Sequence, residues 1–148
     1  DTNHKLVSWR FVIFGCVDGY SWIPIYLQCE NNNLAATSLE GFFAGCSKVT
    51  IARSRSDHGL ENYDVAHFMI CSCGLNRGSF ITGRSVHNQM MERLWPDVNR
   101  VVTRYYSDLF KFIEYQNLLD SGNEIHLFAL HFVLLPRIRK SLQELQNQ

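Results

Sequence analysis

Hydrophobic and polar positions in the first thirty residues follow the pattern of two extended strands. The segments WRFVIFGCVDG (9–19) and SWIPIYLQCE (21–30) are continuous apolar runs rich in aromatic and β-branched residues, and Asp-Gly separates them. This pattern predicts an antiparallel hairpin. Pro24 lacks the backbone N–H that a central strand needs, so we predict that the second strand lies at a sheet edge.

The next segments alternate between helical and extended patterns. The polar start and apolar spacing of NNNLAATSLEGFFAGCS predict a helix. The segment KVTIARSRSD alternates in polarity and predicts a strand that ends at Asp57. ENYDVAHFMICSCG predicts a helix that Gly74 closes, and GSFITGRS predicts a short strand or loop.

From Val86 onward the pattern is helical. Apolar residues recur at steps of three and four: Met91, Leu94, Val98, Val101, Tyr105, Leu109 and Phe112. A last helix is predicted over EIHLFALHFVLLPRIRKSLQELQ, where Pro136 is expected to break or kink it. Strands, then alternating helices and strands, then helices indicate one mixed α/β domain over residues 1–148.

Length and composition limit the classes of protein to which the chain can belong. With 148 residues, 46% hydrophobic and 19% charged, the chain is long enough for one globular domain with a sizeable core. Its formal net charge of zero excludes a strong overall attraction for nucleic acid. The five cysteines lack the spacing of a zinc site, so we expect free thiols in an intracellular protein. No apolar run reaches the about 18 residues of a membrane span.

The segment RSDHGLEN allows two interpretations of Asp57. Aspartate and glycine are turn residues, and Asp57 can cap the helix that follows. Alternatively, Asp57 is a metal ligand at the end of a strand. Glu61 and Asp64 come next, and we interpret both as helix N-terminal charges that are favourable to the helix dipole.

Glu92 lies within the helix predicted from Val86. Asn88 and Gln89 precede it by four and three residues, so the three side chains can share one helix face. On this pattern alone, Glu92 is typical of a solvated charge on an amphipathic helix. A catalytic role for Glu92 is indicated only when it is considered together with the other acids of the chain.

The segments VDGYS, RSDHG-EN, NEIHLF and above all NRGSFITGRSVHNQMMERLW resemble the integrase catalytic core of retroviruses and retrotransposons. The resemblance is greatest to the integrase-core proteins of eukaryotic genomes, and it covers essentially the whole chain. It implies a ribonuclease-H-like fold, in which helices flank a mixed sheet. Because the chain begins at Asp1, we expect an amino-terminally truncated core that lacks most of the first central strand.

The resemblance implies an acidic trio of catalytic metal ligands: Asp1, Asp57 and Glu92. A gap of 34 residues separates the last two. Two Mg²⁺ or Mn²⁺ ions are the implied cofactors, because a metal pair activates the attacking oxygen and neutralises phosphodiester charge. The implied reaction is DNA cleavage and strand transfer in DNA integration, in the nucleus. Asp18 is the alternative first aspartate, although Asp-Gly is typical of a hairpin turn.

The resemblance also implies DNA as the partner. Asn88 and Gln89 are expected near the DNA end, and the weaker phosphate candidates are Arg84 and Arg93. Pro96 departs from the family, which tends to have a basic residue at this position. In a helix the N–H of residue 96 would bond the carbonyl of Glu92, and proline removes that donor at a cost of about 3 kcal/mol.

Two functions therefore stay open. The first is a metal-dependent polynucleotidyl transferase core, with or without impairment by Pro96. The second is a domesticated nucleic-acid-binding or dimerisation module that retains the fold and has lost catalysis. The intact acidic trio favours the enzyme, whereas Pro96 favours the module. A homodimer is a further expectation, and a membrane partner is not expected.

Overall fold

The computed structural model describes residues 1–47, 51–83 and 89–147. Its strands are β1 (Thr2–Asn3), β2 (Val12–Val17), β3 (Pro24–Glu30), β4 (Ser54–Ser56) and β5 (Phe80–Thr82). Its α-helices are α1 (Ala35–Cys46), α2 (Tyr63–Cys73), α3 (Gln89–Val98), α4 (Arg104–Tyr115) and α5 (Glu124–Gln146). The structure therefore confirms a mixed α/β chain, with each predicted element present in the described part.

The strands form two small sheets. Strands β1, β2 and β3 are antiparallel in that order, and β4 pairs with β5 in parallel. The predicted hairpin is confirmed, and Pro24 begins the edge strand β3, as expected. The family resemblance implied one mixed sheet, whereas both pairing directions occur here in separate sheets. The two residues of β1 pair with β2 on one side, and the three residues of β4 pair with β5.

Helices α1 and α2 cover one face of the antiparallel sheet. Successive residues of β2 point to opposite faces. Val12 and Phe14 point to this side, where they pack with Phe42 of α1 and with Val65 and Met69 of α2. This smaller core holds the helix that follows Asp57 against the sheet.

The other face of the sheet packs against α3, α4 and α5. Ile13 of β2 and Leu27 of β3 belong to this larger core. Its fully buried helical residues include Val98, Val102, Phe110, Leu127 and Ile138. The antiparallel sheet therefore lies between two helical layers, and α3 belongs to the layer that packs on the face of Ile13.

The helical segment that carries Glu92 is continuous from α3 to α4. A π-helical turn, Asn99–Thr103, joins the two helices, and Pro96 lies inside α3. Helix α5 likewise runs through Pro136, so of the predicted break or kink the break does not occur. Buried Leu134 and Ile138 flank Pro136, and this packing keeps the helix in place despite the missing hydrogen bond. No helix of the described residues is long and apolar enough to cross a membrane.

Candidate functional site

Asp1 pairs with Gly15 at the end of the antiparallel sheet. The Asp1 nitrogen donates to the Gly15 carbonyl at 3.1 Å, and the Gly15 nitrogen donates to the Asp1 carbonyl at 2.9 Å. Directly paired residues share one face of a sheet. A Cβ at Gly15 would lie 2.9 Å from Cη2 of Trp95 and 3.1 Å from Cε of Met91, so this face is the one covered by α3. Asp1 therefore lies on the α3 side of the sheet.

A chain of side-chain hydrogen bonds fixes β1 to the end of α3. Asn3 is on the same face as Asp1, because alternate residues of a strand share a face. Its Nδ2 donates to Oδ1 of Asn99 at 3.1 Å, and Oγ1 of Thr103 donates to the same oxygen at 2.9 Å. The strand that follows Asp1 is thus held beside the helix that carries Glu92.

Glu92 is an exposed residue of α3 that lines a cleft beside β1. Thr2 and Asn3 form one side of this cleft, and Pro96 and Asn99 contribute to the other. Glu92 is therefore an exposed residue on the side of α3 that borders this cleft. Its helix position agrees with the prediction, and the cleft gives it a neighbour that the sequence pattern did not.

Asp57 directly follows β4 and forms a turn. Its Oδ1 accepts hydrogen bonds from the Gly59 nitrogen at 3.2 Å and from Nδ2 of Asn62 at 3.0 Å. The structure therefore confirms the turn interpretation of Asp57, but not the helix cap, because no side chain caps the helical turn Leu60–Asn62 or α2. This role occupies Oδ1, and a carboxylate has a second oxygen, so a turn residue at this place is compatible with metal binding.

A cavity of about 520 Å³ lies next to Asp1. Of the predicted site residues, Asp1 and Gln89 line it. Ser56 and Asn62 line it as well, which brings the turn of Asp57 to the same cavity. Two further predicted residues, Arg84 and Asn88, lie outside the described residues.

Arg93 and Asp18 both make side-chain contacts near this cavity. The Arg93 guanidinium lies 4.8 Å from the centroid of the Trp22 ring. Oδ2 of Asp18 accepts from the Ser21 nitrogen at 2.7 Å and from the Ser21 hydroxyl at 2.6 Å. These hydrogen bonds from Ser21 lower the pKa of Asp18. The predicted hairpin-turn role of Asp18 is confirmed.

Burial dominates the surroundings of the Asp1 α-amino group. It lowers the pKa of this group, while the acidic groups of Cys16, Asp57 and Glu61 act in the opposite direction. Of these, Glu61 also accepts a hydrogen bond from Thr2, the residue next to Asp1.

Glu61 is a residue whose role the sequence pattern did not reveal. It was predicted as a helix N-terminal charge, but its side chain is buried, with a residue exposure of 8%. Its Oε1 accepts a hydrogen bond from Oγ1 of Thr2 at 2.9 Å. The next residue, Asn62, donates to Asp57. Glu61 and Asn62 together connect β1 with the Asp57 turn, and the contact spans 59 positions, which no local pattern can signal.

We expect Glu61→Ala to destabilise the protein by about 1–3 kcal/mol, because it leaves the Thr2 hydroxyl without this acceptor in a half-buried place. The measurement is the free energy of unfolding from urea titration. Glu61→Gln, which retains an acceptor oxygen, should lose less. A double-mutant cycle with Thr2→Val isolates the hydrogen bond, and additive effects of the two substitutions would contradict its importance.

The acidic trio has the donor chemistry of a divalent metal site, because Mg²⁺ and Mn²⁺ prefer carboxylate oxygens. Within residues 1–47, 51–83 and 89–147, however, no group of three His, Cys, Asp or Glu side chains is arranged to hold a metal ion. The structure brings together the segments that carry the three acids. Their joint binding of metal stays a prediction.

Comparison with protein families identifies a match over the whole chain. The family model described as integrase core domain matches residues 1–148. No curated protein and no solved structure matches the chain significantly.

Proposed function

Because the chain belongs to the integrase core domain family, we propose that it is a metal-dependent polynucleotidyl transferase core of ribonuclease-H-like fold. Its reaction is the cleavage and joining of DNA strands during DNA integration, in the nucleus. The observation that carries this proposal is the position of Asp1 opposite Gly15, on the sheet face that α3 covers. Met91 and Trp95, which approach Gly15 on this face, belong to the same helix as Glu92. The cavity that Asp1 lines also contains Ser56 and Asn62 from the segment of Asp57.

Asp1, Asp57 and Glu92 would hold the ions, since they are the acids of the three segments that meet here. When bound, a pair of divalent cations supplies charge neutralisation at the scissile phosphate and activation of the attacking oxygen. Residues of the chain itself position these carboxylates. Asn62 orients the Asp57 carboxylate through the 3.0 Å hydrogen bond, and the backbone pairing with Gly15 fixes Asp1.

DNA would approach the cavity that Asp1 and Gln89 line. Gln89 offers an amide that can donate to a phosphate, and can both donate to and accept from a base. Asn88 joins Gln89 in this proposal on the family resemblance, and Arg84 and Arg93 are the proposed phosphate contacts. Because the net charge is zero, phosphate contacts of this kind provide weak binding with little sequence preference.

The test is a DNA cleavage and binding assay. A labelled DNA duplex should be nicked with Mn²⁺ or Mg²⁺ and stay intact with EDTA. Binding measured by anisotropy should weaken about tenfold between about 50 and 200 mM salt, as neutralisation of about two phosphates implies. Tight, sequence-selective binding that barely responds to salt would contradict the proposed mode of DNA contact. Cleavage that persists in EDTA would contradict the metal dependence.

The second candidate function is a module without catalysis, and two observations favour it. Pro96 lies inside α3, where it deprives the Glu92 carbonyl of its helical donor. In addition, Phe128 and Phe132 of α5 are exposed at 72% and 77%, with ring centroids 6.5 Å apart. Leu130 and Leu134 on the opposite side of α5 are buried. A helix that is apolar on both sides is typical of one that is buried on both.

A second copy of the chain is the proposed occupant of this α5 face. The same face on two copies can pair about a two-fold axis, which is the commonest symmetry of soluble oligomers. Sedimentation velocity should show a dimer that Phe132→Glu converts to monomer. Phe112→Glu is the matched control, because Phe112 is an exposed phenylalanine of α4. A monomer at every concentration, or equal effects of both variants, would contradict dimerisation through α5.

A further inference from the structure

The turn between β2 and β3 holds an aromatic side chain in a strained backbone conformation. Trp22 has φ of 65°, a left-handed value that a bulky residue rarely adopts. The turn enforces it, because the Trp22 nitrogen donates to the Asp18 carbonyl at 3.0 Å and the Asp18 nitrogen donates to the Ile23 carbonyl at 2.9 Å. The side chain of Asp18 fixes the same turn through Ser21. Strain of this kind persists where the surroundings impose it, and it often accompanies function.

The strained residue presents an indole to the cavity beside Asp1. Trp22 is 46% exposed and lines this cavity together with Gln89. The other two tryptophans, Trp9 and Trp95, are buried at 4% and 8%. Arg93 places its guanidinium 4.8 Å from the Trp22 ring centroid, within the range of a cation–π contact. An exposed aromatic surface with a cation beside it is the chemistry that single-stranded nucleic acid binds.

We propose that Trp22 is a stacking site for an unpaired nucleobase near the end of a DNA strand. This inference rests on the proposed function and adds a ligand subsite to it. The cavity volume of about 520 Å³ is in the range of sites that hold small molecules. Stacking on indole tolerates any base, since every base has a π-face, and this agrees with the expected lack of sequence preference. Arg93 adds a positive charge for the adjoining phosphate.

The test compares two labelled oligonucleotides of about ten nucleotides, a length within the usual range of single-strand sites. One is a thymidine strand, and the other is an abasic strand with the same phosphates. EDTA and low salt permit binding without cleavage. Stacking of one base should make the thymidine strand bind at least about fivefold more tightly than the abasic strand. Trp22→Ala should remove this preference, while Trp22→Phe should retain part of it.

Fluorescence gives a second readout that depends on Trp22 alone. The thymidine strand should quench tryptophan emission of the parent protein, because the exposed indole is the one that a base can reach. Trp22→Phe should abolish this quenching while binding continues by anisotropy. Tyr115→Ala is the matched control, since Tyr115 is an exposed aromatic residue at the end of α4, with 82% exposure. Circular dichroism establishes that each variant is folded.

Each outcome decides the proposal. A thymidine preference that Trp22→Ala abolishes and Tyr115→Ala leaves intact supports it. Equal binding of both strands by the parent overturns the stacking site and leaves DNA binding through phosphates in place. Binding of neither strand overturns the stacking site together with the proposed DNA-binding function. A thymidine preference that survives in Trp22→Ala places stacking elsewhere, and the contact with Arg93 then only fixes the hairpin to α3.

Discussion

Asp57→Asn should lower metal-dependent DNA cleavage at least about 100-fold while the protein keeps its stability. Asparagine retains a side-chain oxygen in the place of Oδ1, so the hydrogen bonds from the Gly59 nitrogen and Asn62 can persist. It removes the negative charge that a divalent ion needs. Loss of several kcal/mol of transition-state stabilisation corresponds to a decrease of this size. The measurement is the rate of nicking in Mn²⁺ together with the free energy of unfolding.

Two further variants separate the turn from the ligand. Asp57→Ala should lose both activity and stability, because it also removes the acceptor of the turn. Asp64→Asn, an identical change in the first turn of α2, should leave cleavage within about twofold, as expected for a charge that is not one of the proposed ligands. If Asp57→Asn cleaves as fast as the parent, Asp57 is a turn residue and not a ligand, and the proposed site is wrong.

Pro96→Ala should raise both the stability of the protein and its cleavage activity. Alanine restores the N–H that can bond the Glu92 carbonyl and removes the crowding by the proline ring, a gain of up to about 3 kcal/mol. Glu92 lies one turn earlier on α3, so its backbone becomes better defined. Pro96→Arg should add a phosphate contact, which appears as tighter, more salt-sensitive DNA binding.

Pro136 provides the matched control, because it also lies inside a helix. Pro136→Ala should raise stability by a comparable amount and leave cleavage unchanged, since α5 carries none of the proposed ligands. Thermal unfolding and the nicking assay measure the two effects. A parent protein that cleaves DNA as well as Pro96→Ala would show that this proline is harmless, and the noncatalytic module would lose its main support.

Local sequence patterns were sufficient to predict the helices and strands of the chain. The hairpin, the edge position of β3 and the glycine end of α2 were predicted correctly, because turn chemistry and the periodicity of apolar residues act over few residues. Gly74, with φ of 89°, ends α2 as predicted. The same local rules gave Asp57 and Asp18 their turn roles, and both are present in the structure.

Local sequence patterns could not predict the contacts between distant segments. The family resemblance implied one mixed sheet, but strand pairing depends on which edges meet, and the described strands form two sheets. The sequence predicted a break or kink at Pro136, whereas the helix is unbroken there, because burial of Leu134 and Ile138 outweighs the lost hydrogen bond. Glu61 was predicted as a helix N-terminal charge and does lie in the helical turn before α2, but its side chain is buried and accepts a hydrogen bond from Thr2, 59 positions away.

By itself, the sequence determined the α/β class and the order of the elements, and it identified the acids that are candidate metal ligands. These properties follow from backbone propensity, periodicity and motif, each of which lies within a short segment. Only the tertiary structure placed Asp1 on the α3 side of the sheet, and the reason is physical. Gly15 lacks a Cβ, so α3 can approach the strand that pairs with Asp1. The packing of Trp95 and Met91 against that glycine, which no local pattern contains, brings Glu92 beside the first strand.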